Sequence, residues 1–238
     1  MPTLTKKQLK QIDKIQIGMQ KRFRTVPEEG VKVRYLEKEF IVYKNVFWPF
    51  EDNKTLVENY TVNSGEDVLD VCTGSGVIAI FSAYKGARKA VAVDFNPEAV
   101  RTAKENARLH GFSQSIDVRL SDMFQAIRDD EMFDVITGNL PFRNKKASDL
   151  VEASQWDTNL YAHRKFFSGV GKHLKPNGRI YLCQANFGAV KEMRQLANDS
   201  GFAMRLIGKN EMPGNDPRIF YAFELNRKNE NPTNQAAI

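Results

Sequence analysis

Cysteine and histidine are scarce in this chain, with two of the first and three of the second in 238 residues. Cys72 and Cys183 each stand in an apolar, strand-like stretch, which reads as two free thiols in a reducing compartment and excludes a disulfide framework. His110, His163 and His173 fall on helical segments without metal-ligand spacing, so no metal is expected. Ser75 has no histidine near it that would make it a nucleophile. No apolar run approaches the ~20 residues that span a bilayer. The first residues, Met1-Pro2-Thr3-Leu4-Thr5-Lys6-Lys7, lack both the apolar core and the cleavage site of a secretory signal. The chain reads as cytoplasmic, with no membrane partner.

What is present is an ordinary packed-protein composition, 42% hydrophobic and 27% charged, long enough for one large α/β domain with an appendage. The charge is unevenly placed. Residues 1–45 hold 11 Lys/Arg against 5 Asp/Glu, and the remainder is balanced at 24 of each. A basic arm on a neutral body suits an acidic partner such as RNA, DNA or a protein of the translation apparatus; a solvated amphipathic helix is the plainer alternative.

Leu9, Ile12, Ile15 and Met19 recur at helical spacing between Thr5 and Arg24, and Pro27 and Gly30 end that helix. Val31–Tyr35 and Phe40–Tyr43 read as a hairpin, so residues 1–45 form a small helix-and-hairpin cap too short to hold a core alone. From Val68 the pattern alternates. Strands are expected at Val68–Val71, Ala90–Val93, Ile116–Leu120, Phe133–Thr137 and Arg179–Gln184. Helices are expected at Val77–Lys85, Pro97–His110, Leu160–Leu174 and Ala189–Ser200. This order predicts a doubly wound parallel sheet. Phe202–Gly208 and Ile219–Leu225 are too close for a helical crossover and should pair antiparallel. The main domain is expected over 46–226, followed by a disordered tail over 227–238.

The chemistry-bearing residues fall after the strands. Asp70-Val71-Cys72-Thr73-Gly74-Ser75-Gly76 turns the first parallel strand into a helix, where a backbone can approach a ligand at a helix start. Ala79 stands where a nicotinamide-binding turn would carry its third glycine. Asp94, 20 residues beyond Gly74, can accept from both hydroxyls of a ribose or cap the helix opening at Pro97. Asp122 can accept from an adenine amine while Met123 packs on the ring; each is otherwise a turn residue. After the fourth strand comes Asn139-Leu140-Pro141-Phe142. The Asn139 side-chain oxygen and the Leu140 carbonyl suit the two N–H groups of a planar nitrogen, with Phe142 stacked on its plane. Trp156 and Tyr161 read as packing aromatics, or as walls of the acceptor pocket.

Asp70–Ile80 resembles the first motif of class I S-adenosylmethionine-dependent methyltransferases, especially the HemK-like group, which has Gly where Cys72 stands. Trp48-Pro49-Phe50-Glu51-Asp52 with Leu56-Val57-Glu58 is similar to a segment that group lays against the cofactor. Asn139–Phe142 looks like its Asn-Pro-Pro-Tyr/Phe motif, with Leu140 for the first proline. His173–Arg179 is similar to its turn before the fifth strand, and Gly214–Arg218 to its C-terminal hairpin. The resemblance covers roughly 46–225. It implies a Rossmann-like, seven-stranded, mostly parallel sheet whose last strand is antiparallel. It also implies that Asp70, Thr73, Gly74 and Gly76 surround the methionine part of the cofactor, that Asp94 and Phe95 meet the ribose, that Asp122 and Met123 meet the adenine, and that Asn139 orients the acceptor.

Direct methylation of a planar nitrogen, either an exocyclic base amine or a glutamine amide, is the expected reaction. The alternatives are a small-molecule methyltransferase, a non-catalytic cofactor-binding protein and, more remotely, a nicotinamide enzyme.

Overall fold

The computed structural model describes residues 3–228. The cap begins with α1 (Lys6–Arg24), opened by Thr5, whose hydroxyl accepts from Gln8 N–H in a capping box. Strands β1 (Val31–Tyr35) and β2 (Lys38–Val42) follow as an antiparallel hairpin. Leu36 and Glu37 turn it with positive φ.

After the cap come α2 (Glu51–Asn59), β3 (Asp67–Val71), α3 (Val77–Tyr84), β4 (Lys89–Asp94), α4 (Pro97–Leu109), β5 (Ile116–Leu120) and β6 (Phe133–Gly138). The chain continues through α5 (Leu150–Ala153), α6 (Tyr161–His173), β7 (Leu174–Ala185), α7 (Val190–Asp199), β8 (Phe202–Glu211) and β9 (Ile219–Arg227). Seven strands form one sheet in the order β5-β4-β3-β6-β7-β9-β8. All neighbours are parallel except β9, which runs antiparallel to both β7 and β8.

Both faces of the sheet are buried, and alternate residues supply each. Val68, Ala90, Ala92, Val135 and Tyr181 face one layer with α2, α3 and α4. Leu69, Val91, Val93, Ile136 and Ile180 face the other with α6 and α7. With helices on both faces, ligand access is left at the carboxyl ends of the strands.

The expected elements form within a residue or two, apart from β8, which runs three residues past Gly208 to Glu211, and three further corrections. Helix α2 goes unmarked by apolar periodicity because Asp52, Asn53 and Thr55 lie among its buried residues. Leu174 belongs to β7, where it pairs with Phe133. Lys175–Gly178 then bulge from the strand rather than turning before it, since the next pair is Val135 with Arg179. Arg227 ends β9 instead of starting a tail; residues 229–238 lie outside the described residues.

Asn106 of α4 joins the hairpin to the body. Buried completely, it accepts from Ile41 N–H at 2.7 Å and donates to Ile41 O at 2.8 Å and Ser75 O at 2.9 Å. Ser75 lies in the glycine turn, so one side chain ties β2, α4 and that turn together. Gly76 starts α3 at φ +82°, and a Cβ there would stand 3.0 Å from Ala103 Cβ on α4. Gly76→Ala is therefore expected to destabilise the protein by about 1–3 kcal/mol, read as a lower midpoint in urea unfolding.

Candidate active site

The carboxyl ends of β3, β4 and β6 open on a cavity of about 890 Å³, including its solvent-exposed mouth. Thr73, Gly74 and Ser75 enter it from the turn after β3, and Asp94, Phe95 and Asn96 from the end of β4. Asn139, Leu140, Pro141 and Phe142 enter from the loop after β6. Further segments complete it: Gln16 and Met19 of α1, Phe50 and Asp52 at the start of α2, Phe187 after β7, and Arg218 with Phe220 at β9.

The glycine turn is built on unusual backbone. Cys72, Gly74 and Gly76 all have positive φ, with Cys72 at +57°. Cys72 thus holds, with a side chain, a conformation that glycine adopts without strain. A Cβ at Gly74 would meet nothing within 4 Å. The turn presents bare backbone to the cavity.

Asp94 secures that turn from β4. Its carboxylate accepts from Gly74 N–H and from Asn96 N–H, both at 2.9 Å. The cap of α4 is Asn96, whose side chain accepts from Glu98 N–H. Burial raises the Asp94 carboxyl above its ordinary value, against the pull of these backbone hydrogen bonds.

Asp70, Gly76, Asp122 and Met123 do not line this cavity. Asp70 is fully buried under the turn, accepting from Thr73 Oγ1 at 2.6 Å and Thr137 Oγ1 at 2.8 Å, and burial pushes its carboxyl up to about 7. Asp122 accepts from Tyr161 Oη at 2.6 Å and Lys165 Nζ at 2.5 Å. Met123 packs into the core layer of α6. Trp156 is buried against α1, donating to Gln16 Oε1 at 3.3 Å, and neither it nor Tyr161 reaches the cavity.

The loop after β6 holds the most informative atom. Asn139 Nδ2 donates to Asp52 Oδ2 at 2.9 Å, while Asn139 Oδ1 is buried with no partner among the described residues. Because a carboxylate only accepts, Asp52 fixes which way the amide points. The Asn139 oxygen is left as a dry acceptor in a residue that lines the cavity, a group that requires a donor. Phe142 O accepts from Ala189 N–H at 2.8 Å and anchors the loop. The Phe142 ring packs against Phe187 and Phe220, with centroids 5.9 and 6.0 Å away.

Asp52 and Arg218 were not candidates in the sequence. Asp52 is buried, which pushes its carboxyl up to about 6 against the hydrogen bonds from Asn139 and Asn53 and the nearby Arg218 charge. Arg218 is paired with Asp216 at 2.7 Å and stacks 5.0 Å from the Phe50 ring centre. The available signals were two resemblances, of the segment around Asp52 to a motif that approaches the cofactor and of Gly214–Arg218 to a C-terminal hairpin.

A family model described as ribosomal protein L11 methyltransferase (PrmA) matches residues 55–141. The chain is 28% identical over 203 residues to a Methanocaldococcus jannaschii protein named as a protein N5-glutamine methyltransferase, covering 83% of this chain and 98% of that one. It is 31% identical over 157 residues to the release factor glutamine methyltransferase of Cereibacter sphaeroides, covering 61% of this chain and just over half (56%) of that one. A T. thermophilus 16S rRNA N2 G1207 methyltransferase, solved with AdoMet and guanosine, shares the fold with a TM-score of 0.59 at 19% identity, over 84% of this chain and 50% of that one.

Fold and relatives together define a class I methyltransferase, a class of enzyme that uses S-adenosylmethionine. Two of the relatives to which the chain is similar carry names that refer to glutamine methylation. Among the described residues no helix is long and apolar enough to cross a membrane, and no group of three His, Cys, Asp or Glu side chains is placed to hold a metal ion.

The buried carboxyl has a consequence for stability. Asp52 holds its proton to a higher pH in the folded chain than in the unfolded one. Its favourable contribution is thus complete below pH ~4 and is lost as pH rises through about 6. Asp52→Asn removes that dependence. The variant is expected to gain stability over the wild type progressively from pH 4 to pH 7, by up to about 3 kcal/mol, in unfolding curves measured across that range.

Proposed function

We propose that this enzyme methylates the side-chain amide nitrogen of glutamine in a protein, using S-adenosylmethionine. The observation that carries the reading is the buried, unpartnered Asn139 Oδ1 held in place by Asp52. The names of the two relatives, which refer to glutamine methylation, support the choice of amide.

The residues present fit the cofactor. Gly74 leaves space above bare backbone, and Asp94 offers carboxylate oxygens beside it for the ribose hydroxyls. In this reading Thr73 and Phe95 are further neighbours of the cofactor. Asp70 and Gly76 shape the turn from beneath, while Asp122 and Met123 stand outside the cavity. When bound, S-adenosylmethionine supplies an electrophilic methyl group on its sulfonium.

The chain's own residues prepare the nitrogen. A planar amide nitrogen is a weak nucleophile because its lone pair is delocalised. Asn139 Oδ1 accepts one of its N–H groups and the Leu140 carbonyl the other, which aligns the lone pair and stabilises the positive charge that grows on nitrogen. Phe142 packs on the amide plane. Asp52 keeps the Asn139 oxygen turned to the substrate. Residues 46–227 form the methyltransferase body in this reading, and residues 1–45 an acceptor-side appendage.

A second reading, an exocyclic amine of a nucleobase, is favoured by the cluster of Phe50, Phe142, Phe187 and Phe220, whose rings suit a flat base.

Asn139→Ala is expected to bind S-adenosylmethionine as the wild type does and to lose about 10²–10³-fold in kcat, measured with methyl-labelled cofactor on glutamine-containing peptides and on RNA. Label appearing in RNA instead of peptide would overturn the amide assignment. Asp94→Ala is expected to weaken cofactor binding at least about tenfold through the lost ribose contacts, and unchanged affinity by calorimetry would remove Asp94 from the site.

A further inference from the structure

The outer face of α1 takes no part in the site. With about 100° between successive residues, Lys6, Lys10, Lys21, Lys14 and Lys7 fall within about 100° of one another on this helix. All five are exposed. The helix meets the body from its other side, where Ile12, Gln16, Gln20 and Phe23 are buried. Its flanks are also tied, one by Asp13 to Arg143 and Arg24 to Asp149, the other by Gln11 to Asn215. The lysine row therefore faces away from the protein.

Among the described residues, none of the five lysines has an ion-pair or hydrogen-bond partner. The single carboxylate of the helix, Asp13, is engaged by Arg143 and Lys145. Lys6 with Lys10 and Lys10 with Lys14 are like-charge neighbours one turn apart, an arrangement that repels until a counter-charge arrives.

We propose that this row docks the phosphate backbone of a single RNA strand. Lys6, Lys10 and Lys14 climb about 6 Å per step, and the row extends about 22 Å to Lys21. A line of charge suits a linear polyanion rather than a point anion. Ile17 is the one exposed large apolar side chain in the row, so the face lacks the apolar half of a membrane-inserting helix. Arg24, at the angle of Lys6, is held by Asp149, and the row has no Asn or Gln to read base edges, so the contact is with phosphates and independent of sequence. A single strand can extend along a straight row of about 22 Å, whereas each phosphate strand of a duplex winds through about two-thirds of a turn over that length and leaves the row.

The same helix supplies Gln16 and Met19 to the cavity on its inner side. A strand on the outer face lies about one helix diameter, roughly 10 Å, from the site. The methyl acceptor is thereby presented beside RNA, whichever nitrogen is methylated.

Fluorescence anisotropy of a labelled 20-nucleotide oligouridylate with the full chain, from 50 to 200 mM KCl and without cofactor, tests this. Five phosphate contacts predict a slope of about −3.5 in log affinity against log salt, at about 0.7 per contact. Lys10→Gln/Lys14→Gln/Lys21→Gln is expected to flatten that slope by about 2 and to weaken binding at least about tenfold at 100 mM, with a Tm no lower than that of the wild type. No binding by the wild type, or an unchanged slope in the triple variant, overturns the proposal. Tighter binding to polyglutamate, to phosphatidylserine vesicles or to duplex DNA than to oligouridylate overturns it as well, and assigns the face to that partner. The readout involves no methyl transfer, so its failure leaves the amide assignment standing, and the reverse holds.

Discussion

Asp52 receives the Asn139 side chain at 2.9 Å where water is excluded, and the acceptor side of the cavity is organised by that one hydrogen bond. It joins the start of α2 to the loop after β6 across 87 positions of sequence. Since the carboxylate has only acceptors, the amide has one possible orientation, and its oxygen is committed to whatever enters the cavity. The bond carries an energetic tension. A buried carboxylate is disfavoured, and hydrogen bonds from Asn139 and Asn53 together with the Arg218 charge offset part of that penalty. Removing either partner would leave a polar group buried and unpaired. The geometry that suits catalysis is thus held at the expense of stability.

On the cofactor side the constraint is conformational. A sheet covered by helices on both faces leaves its ligand site at the strand ends, and the turn after β3 must bring bare backbone there. Three residues of that turn take positive φ, one of them carrying a side chain. Asp94, Asp70 and Asn106 hold the turn from three directions through hydrogen bonds to Gly74, Thr73 and Ser75. Strained backbone persists where its surroundings over-determine it, and this turn is such a place.

The N-terminal helix separates two environments. Its inner face is unusually polar for a packed surface: Gln16 and Gln20 are buried in hydrogen bonds to Arg143, Trp156 and Gln155, all in the segment after the acceptor loop. Its outer face is a row of lysines. The basic face and one wall of the cavity therefore lie on the same helix.

Strand and helix alternation, the antiparallel last strand and the turn at Gly74–Gly76 were legible from local pattern, because a two-faced parallel sheet demands short apolar runs and a tight, glycine-bearing turn at the ligand edge. Asn139 and Asp94 were legible as positions after strands. Helix α2 was not, since the buried polar residues Asp52, Asn53 and Thr55 stand beside Leu56 and Val57 on its inward face and interrupt the apolar stripe. Asp52, Gln16 and Arg218 could not be placed from local pattern, because each reaches the cavity through contacts with distant segments that no spacing rule encodes. The five lysines were visible as net charge, but their gathering on one face turned away from the body depended on which side of α1 found partners. By itself the sequence determined the layers, the turn and the chemical types available at the strand ends, all of which follow from short-range periodicity and backbone preference. Only the tertiary structure decided which of those groups are dry, which are paired and which remain open to a ligand, because desolvation and hydrogen-bond partnership belong to the packed chain.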